Sequence, residues 1–177
     1  LLNVSKKMYR ILGGRGLTRF PMMVFIKNFA LKNLRSEHVH INGHDMILDS
    51  CDSLRLSVND IYEPVETGVV KSIIEKDAVV LDVGAHIGYY TLLMSDLVGC
   101  NGKVFAFEPE PNNFELLQKN VEVNACKNIV IQKKAVSDSN KRSHLYLSKD
   151  NSGMHRLNKS VFCKECVEVD VIRLDDY

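Results

Sequence analysis

The stretch Ala78-Val79-Val80-Leu81-Asp82-Val83-Gly84-Ala85-His86-Ile87-Gly88, running on into an apolar-rich segment from Tyr89 to Val98, decides how the chain folds. A short unbroken apolar run is what a strand buried on both faces looks like. Two glycines then supply a tight turn, and the segment behind them has the length and apolar content of a helix packed on that strand. The cycle repeats: Lys103 to Phe107 reads as a strand, Glu108-Pro109-Glu110-Pro111 as a turn, Asn112 to Asn124 as an amphipathic helix and Asn128 to Lys133 as a third strand. The order β-α-β-α-β at these spacings predicts right-handed crossovers and an α/β fold with a parallel sheet flanked by helices.

Working outward, Pro64 to Ile74 reads as a helix with Pro in its first turn. Leu54 to Val58 alternates polar and apolar, which predicts a strand. His38 to Ile41 and His44 to Leu48 flank Asn42-Gly43, a dipeptide suited to the positive φ angles of a type I′ hairpin turn. Ser5 to Leu12 and Met22 to Leu34 carry helical spacing around a break at Gly13, Gly14, Gly16 and Pro21. On the carboxyl side, Ser143 to Leu147 and Val167 to Leu174 read as strands joined by the polar stretch Ser148 to Ser160. The division that follows is a small helical and hairpin appendage, residues 1–45, and a binding domain, residues 46–177.

In an open parallel sheet, ligands settle in the crevice at the carboxyl ends of the strands, where the next helix offers free N–H groups and the positive end of its dipole. Asp82 to Gly88 lies there, and Gly84 and Gly88 would let backbone approach a ligand with no Cβ in the way. Glu108 ends the second strand, 24 residues beyond Gly84. An acid at that tip is placed to accept both ribose hydroxyls of an adenosine group. A dinucleotide turn wants a second Gly where this chain has His86, whose imidazole would crowd a pyrophosphate, and Asp82 would repel phosphates. A ligand bearing an ammonium and a sulfonium, such as S-adenosylmethionine, suits the turn better than NAD.

The formal net charge is +1, yet residues 1–36 hold eight Lys or Arg and no acid, leaving about −7 on the remainder. A basic amphipathic front end points to a solvated helical cap or to a membrane surface or partner. No run reaches the roughly 20 apolar residues of a transmembrane helix, and no secretory signal is visible. Five scattered cysteines favour reduced thiols in the cytoplasm. Cys163 and Cys166 form a lone C-x-x-C without a second pair, so no metal site is expected.

The string Val80-Leu81-Asp82-Val83-Gly84-Ala85-His86-Ile87-Gly88-Tyr89-Tyr90-Thr91 resembles the FkbM family of methyltransferases. So do Phe107-Glu108-Pro109-Glu110-Pro111, Asn120 with Asn124, Ala135-Val136-Ser137-Asp138, Tyr62-Glu63-Pro64-Val65-Glu66 and Arg173-Leu174-Asp175-Asp176-Tyr177. The resemblance spans about Met46 to Tyr177. It implies a Rossmann-like class I methyltransferase fold, S-adenosylmethionine as methyl donor, and hydroxyls of sugars, polyketides or related metabolites as acceptors. It places Asp82, Gly84, Ala85, His86 and Gly88 around the methionyl part and makes Glu108 the ribose ligand. Pro109 would border the adenine, Ala135 would offer backbone to it, and Tyr62, Glu63 and Glu66 would sit over the methionyl end. His86 stands where the family often has Asn. The chain stops before the family's next central strand, so a fragment truncated before its later strands is expected.

Methyl transfer to oxygen is an in-line displacement for which alignment supplies roughly 7 to 11 kcal/mol. A general base helps further, and the polar stretch offers Asp150 and His155 as candidates. Two other readings stay open at this point: an NAD-dependent oxidoreductase, and a non-catalytic interaction module using the basic segment Lys6 to Arg35. A nucleic-acid partner is not expected, because the rest of the chain is acidic.

Overall fold

The computed structural model describes residues 36–148, 155–157 and 165–177. The helices expected over Ser5 to Leu12 and Met22 to Leu34, as well as Asp150 and Cys163, lie outside the described residues. Strands β1 (His38–Ile41) and β2 (His44–Ile47) form an antiparallel hairpin. Its turn residues Asn42 and Gly43 both take positive φ, 52° and 87°, as a type I′ turn requires. Helix α1 (Pro64–Ile73) leads to β3 (Val79–Val83), α2 (Tyr89–Val98), β4 (Lys103–Phe107), α3 (Pro111–Val123) and β5 (Ile129–Gln132). The strands β3, β4 and β5 pair in that order and all run parallel. This is the parallel sheet with flanking helices that the apolar runs predict.

Alternation along β4 decides which face is covered. Val104 and Ala106 are fully buried on one face, where Ala106 packs with Ala85 and with Leu117 of α3. On the other face Phe105 and Phe107 receive the Tyr177 ring, edge to face at 5.6 and 5.2 Å. Their neighbours in register on β3, Leu81 and Val83, are exposed, as are Val79 on the same strand and Val65, Val69 and Ile73 along α1. The largest core cluster joins Ile41, Met46, Leu48 and Leu56 from the amino-terminal part to Ile87, Tyr89 and Leu92. Each such side chain contributes on the order of 1.5 to 3 kcal/mol on burial. The hairpin is thus packed against α2 and α3 and shares the core of the binding domain.

Two features differ from the sequence reading. Leu54 to Val58 forms turns, because the buried Asp52 carboxylate takes the N–H groups of Leu56 at 2.8 Å and Ser57 at 3.3 Å along with the Ser57 hydroxyl. Main-chain donors spent on a side chain cannot build a ladder. The strands on the carboxyl side make a second sheet: β6 (Ala135–Val136) runs parallel to β8 (Glu165–Ile172), which pairs antiparallel with β7 (Lys141–Leu147). Ala135, Leu145, Val169 and Val171 form its core. Among the described residues no helix is long and apolar enough to cross a membrane.

Candidate functional site

The loop after β3 stays tied to β4 as it leaves the sheet. Both Gly84 and Ala85 donate their N–H groups to the Phe107 carbonyl, at 2.9 and 3.0 Å, and the Ala85 methyl is core. Gly84 takes φ 82° with open space where a Cβ would sit. Gly88 takes φ 95°, and a Cβ there would meet Leu117 Cδ1 at 2.7 Å, so this glycine is required by close packing as well as by backbone conformation. Between them His86 adopts φ 52°, a left-handed conformation that His and Asn tolerate better than most residues.

The His86 imidazole does not crowd the crevice as the sequence suggested. It is buried, and its Nε2 lies 3.4 Å from Ser53 Oγ, while Asp49 accepts from the Ser53 hydroxyl at 2.6 Å. Burial pushes the imidazole below its ordinary pKa, with Asp49 pulling the other way. What the loop presents at this position is instead the His86 N–H, and it is already engaged: it donates to Glu108 Oε2 at 2.7 Å. A pyrophosphate would find that donor taken and the carboxyls of Asp82, Glu108 and Glu110 nearby.

Glu108 is nearly inaccessible, at 5% exposure, and its second oxygen accepts the Glu110 N–H at 2.9 Å. Burial pushes its carboxyl up to about 7 against the pull of these two backbone donors. A carboxylate has about four acceptor sites on its two oxygens. Two take these backbone donors and the Asn113 side chain also bonds the carboxyl, which leaves about one for a ligand hydroxyl. The strand-end Asp82 behaves differently: Thr91 of α2 donates to it at 2.5 Å, and burial raises its pKa. Its carboxyl therefore clamps β3 to α2.

Glu110 was not singled out in the sequence, yet it is the N-cap of α3, accepting the Asn113 N–H at 2.7 Å and the Asn112 side chain at 3.0 Å. Pro at the first helical position was the available signal. Pro109 is half-buried between the two acids. The Gln132 carbonyl accepts the N–H groups of both Glu108 and Lys134, so the chain after β5 turns beside Glu108. Ala135 follows directly, registered with Val171 of β8.

On the other side of the loop stand Tyr62, Glu63 and Glu66, at and just before the first turn of α1. The Tyr89 hydroxyl, one residue beyond Gly88, gathers the Tyr62 N–H at 3.2 Å, the Asn42 side chain at 3.1 Å and the Thr67 hydroxyl at 3.3 Å. Tyr90 donates its hydroxyl to Glu63 Oε2 at 3.1 Å. Burial and the Glu63 carboxylate push the Tyr62 phenol up to about 12. Glu66 is exposed on the helix. His155 lines a groove with Asp49, Glu110 and Ser148, and its Nδ1 accepts the Ser148 N–H at 3.0 Å. Burial lowers its pKa, so the neutral ring carries its proton on Nε2 and offers a donor to the groove.

The geometry thus brings together a glycine loop, a buried acid at the tip of the adjacent strand and an aromatic-acidic group at the start of α1, the helix before that loop. Residues 82–177, more than half of the chain, match the family described as Methyltransferase FkbM domain. Among solved structures, a SAM-dependent methyltransferase from Aquifex aeolicus is 29% identical over 43% of this chain and 39% of that one, with a TM-score of 0.37. A SAM-dependent O-methyltransferase from Thermotoga maritima is 17% identical over 54% of this chain and 39% of that one, at 0.39. An rRNA methylase from Streptococcus thermophilus is 16% identical over 42% and 41%, at 0.36. The chain spans about two fifths of the length of these structures. No curated protein matches it. On the match of the family model across the glycine loop, Glu108 and everything beyond them, the chain belongs to the FkbM methyltransferase domain family.

Proposed function

We propose that this chain binds S-adenosylmethionine and serves methyl transfer to a hydroxyl of a sugar, polyketide or similar metabolite. The observation that carries the reading is the bond from the His86 N–H to the buried Glu108 carboxylate, which fixes the glycine loop and the ribose-binding acid as one unit. The residues fit the adenosyl group: Glu108 has acceptor capacity left for a ribose hydroxyl, and the space at Gly84 admits a ligand against the backbone. When bound, S-adenosylmethionine supplies a methyl group already activated by a sulfonium.

Every other task falls to the chain. Glu108 holds the ribose, Pro109 borders the adenine, and the backbone at Lys134 and Ala135 closes that side. The loop from Gly84 to Gly88, buttressed by Asp82 and Thr91, carries the methionyl part, with Tyr62, Glu63 and Glu66 over it. His155 serves as a hydrogen-bond donor that orients an acceptor hydroxyl, because its Nδ1 is committed to Ser148. With His155 Nδ1 occupied by the Ser148 N–H, Asp150 is the remaining candidate for the base. The scattered cysteines favour a cytoplasmic setting.

Calorimetry with S-adenosylhomocysteine, using NAD as the rival ligand, tests the reading. S-adenosylhomocysteine should bind and NAD should not. Binding of NAD alone, or of neither, overturns it.

A further inference from the structure

Ser53 stands between two hollows. Its hydroxyl lies 3.4 Å from His86 Nε2 in the glycine loop and donates to Asp49, which lines the groove of His155. Ser53 itself lines a second cavity, of about 480 Å³, together with Arg55, Asn59, Tyr62 and Glu63. That volume falls within the roughly 300 to 1,000 Å³ usual for small-molecule sites. Arg55 is presented to the cavity by a tightly determined turn. The Asp52 carboxylate takes the N–H groups of Leu56 and Ser57, and the Asp52 carbonyl accepts the Arg55 N–H at 2.8 Å. The Arg55 carbonyl accepts the N–H groups of Asn59 at 3.0 Å and Val58 at 3.3 Å. Leu56, Ser57 and Val58 are sunk in the core, whereas Arg55 is exposed and takes φ 54°. A non-glycine residue holds that left-handed conformation only where its surroundings impose it. Among the described residues no carboxylate pairs with the Arg55 guanidinium.

The cavity is therefore polarised. Arg55 is the cation among its described lining residues, and Glu63 is the carboxylate, held on the side of α2 by the Tyr90 hydroxyl at 3.1 Å. A guanidinium offers a planar fork of N–H donors that matches the paired oxygens of a carboxylate or a phosphate. The Asn59 carboxamide on the same wall supplies further donors. Glu63 repels an anion, so an anionic ligand enters with its charge at Arg55 and away from α2. We propose that this cavity receives the methyl acceptor and that the acceptor carries a carboxylate or phosphate, held by Arg55, with its hydroxylated part lying across Ser53 towards His155. This assignment rests on the proposed function and narrows the acceptor to an acidic sugar or a similarly hydroxylated acidic metabolite. A neutral sugar, or a polyketide without an acidic group, leaves the guanidinium unpaired and gains nothing from the imposed turn. Arg55 thus selects the acceptor and leaves the methyl donor to the glycine loop and Glu108.

Calorimetry on this chain saturated with S-adenosylhomocysteine, with circular dichroism to verify folding, compares glucose 6-phosphate, glucuronate and glucose. At least one of the two acidic sugars should bind about tenfold or more tightly than glucose, and the better of the two identifies the anion as phosphate or carboxylate. Arg55→Gln should abolish that preference while changing the affinity for S-adenosylhomocysteine by less than about twofold. Arg55→Lys, which keeps the charge without the fork, should retain part of it. Should Arg55→Gln fail to fold, Arg55→Gly removes the same guanidinium and suits φ 54° better than arginine does. No preference for an acidic sugar, or one that survives in the folded Gln or Gly variant, overturns the inference and leaves the cofactor reading standing. Weaker binding of S-adenosylhomocysteine in those variants overturns it as well, because Arg55 would then serve the donor. Failure of the unaltered chain to bind S-adenosylhomocysteine overturns the proposed function and, with it, the identification of this ligand as an acceptor.

Discussion

The Asn120 carboxamide meets both main-chain groups of Ile47, accepting its N–H at 2.7 Å and donating to its carbonyl at 3.0 Å, from a side chain with no exposed surface. The same amide also donates to the Ile87 carbonyl at 2.8 Å, so one residue of α3 ties the hairpin to the glycine loop. Asn124 repeats the arrangement one turn later on Asp45, at 3.0 and 2.8 Å, in a more exposed setting.

Asn120→Ala strands one N–H and two carbonyls in a dry environment, each worth roughly 1 to 3 kcal/mol if left unmet. A loss of about 3 kcal/mol is expected, read as a shift of the urea midpoint at constant slope. Asn124→Ala should cost about 1 kcal/mol, because water can replace its partners. Equal losses would show that burial does not separate the two sites.

Gly84 and Gly88 separate two costs that a single glycine variant confounds. Gly84→Ala meets only the strain of φ 82° and should lose on the order of 1 kcal/mol. Gly88→Ala adds a clash with Leu117 at 2.7 Å and should lose more, on the order of 3 kcal/mol. Trimming Leu117 to Ala in the Gly88→Ala background should recover part of the clash and none of the backbone strain. A double-mutant cycle with no coupling would contradict this packing.

Glu108 makes adenosyl binding depend on pH. Its carboxyl sits near 7 in the ligand-free chain, and hydroxyls donating to it stabilise the ionised form. Affinity for S-adenosylhomocysteine should therefore rise as pH climbs towards about 7 and level off above it, with protons released on binding below that point. Calorimetry in buffers of different ionisation enthalpy measures the release; none at pH 6 would refute the assignment. Because the folded-state pKa is raised, the same group contributes stability that is fully present below about 4.5 and is lost as pH rises through about 7. Glu108→Ala should weaken binding tenfold or more, about 1.4 kcal/mol per decade.

The sequence showed the hairpin turn and the alternation from β3 to β5 because each rests on local chemistry: Asn-Gly for two positive φ angles, unbroken apolar runs for buried strands. It did not show that Asp52 would capture the amides of Leu56 and Ser57, since alternation is blind to a side chain competing with a ladder. Nor did it show β6, whose two residues pair with Val171 and Ile172, far along the chain. Within the site, Glu108 was legible from its place at a strand tip. The inward turn of the His86 ring, the clamp of Asp82 on Thr91 and the capping by Glu110 depend on partners distant in sequence or on an atypical capping residue.

The two asparagines also settle a matter of length. One helical step of four residues advances about 6 Å, and two residues of a strand advance about 6.7 Å. The near match lets α3 serve as a gauge along β2, with graduations at Asp45 and Ile47 that admit no intermediate setting. A hairpin slipped by one position would turn the main-chain groups of β2 towards β1 and leave both carboxamides without partners. Inserting or deleting a single residue between Asn120 and Asn124 would swing one carboxamide about 100° around the helix and cancel the gauge altogether, even in a helix that otherwise forms well.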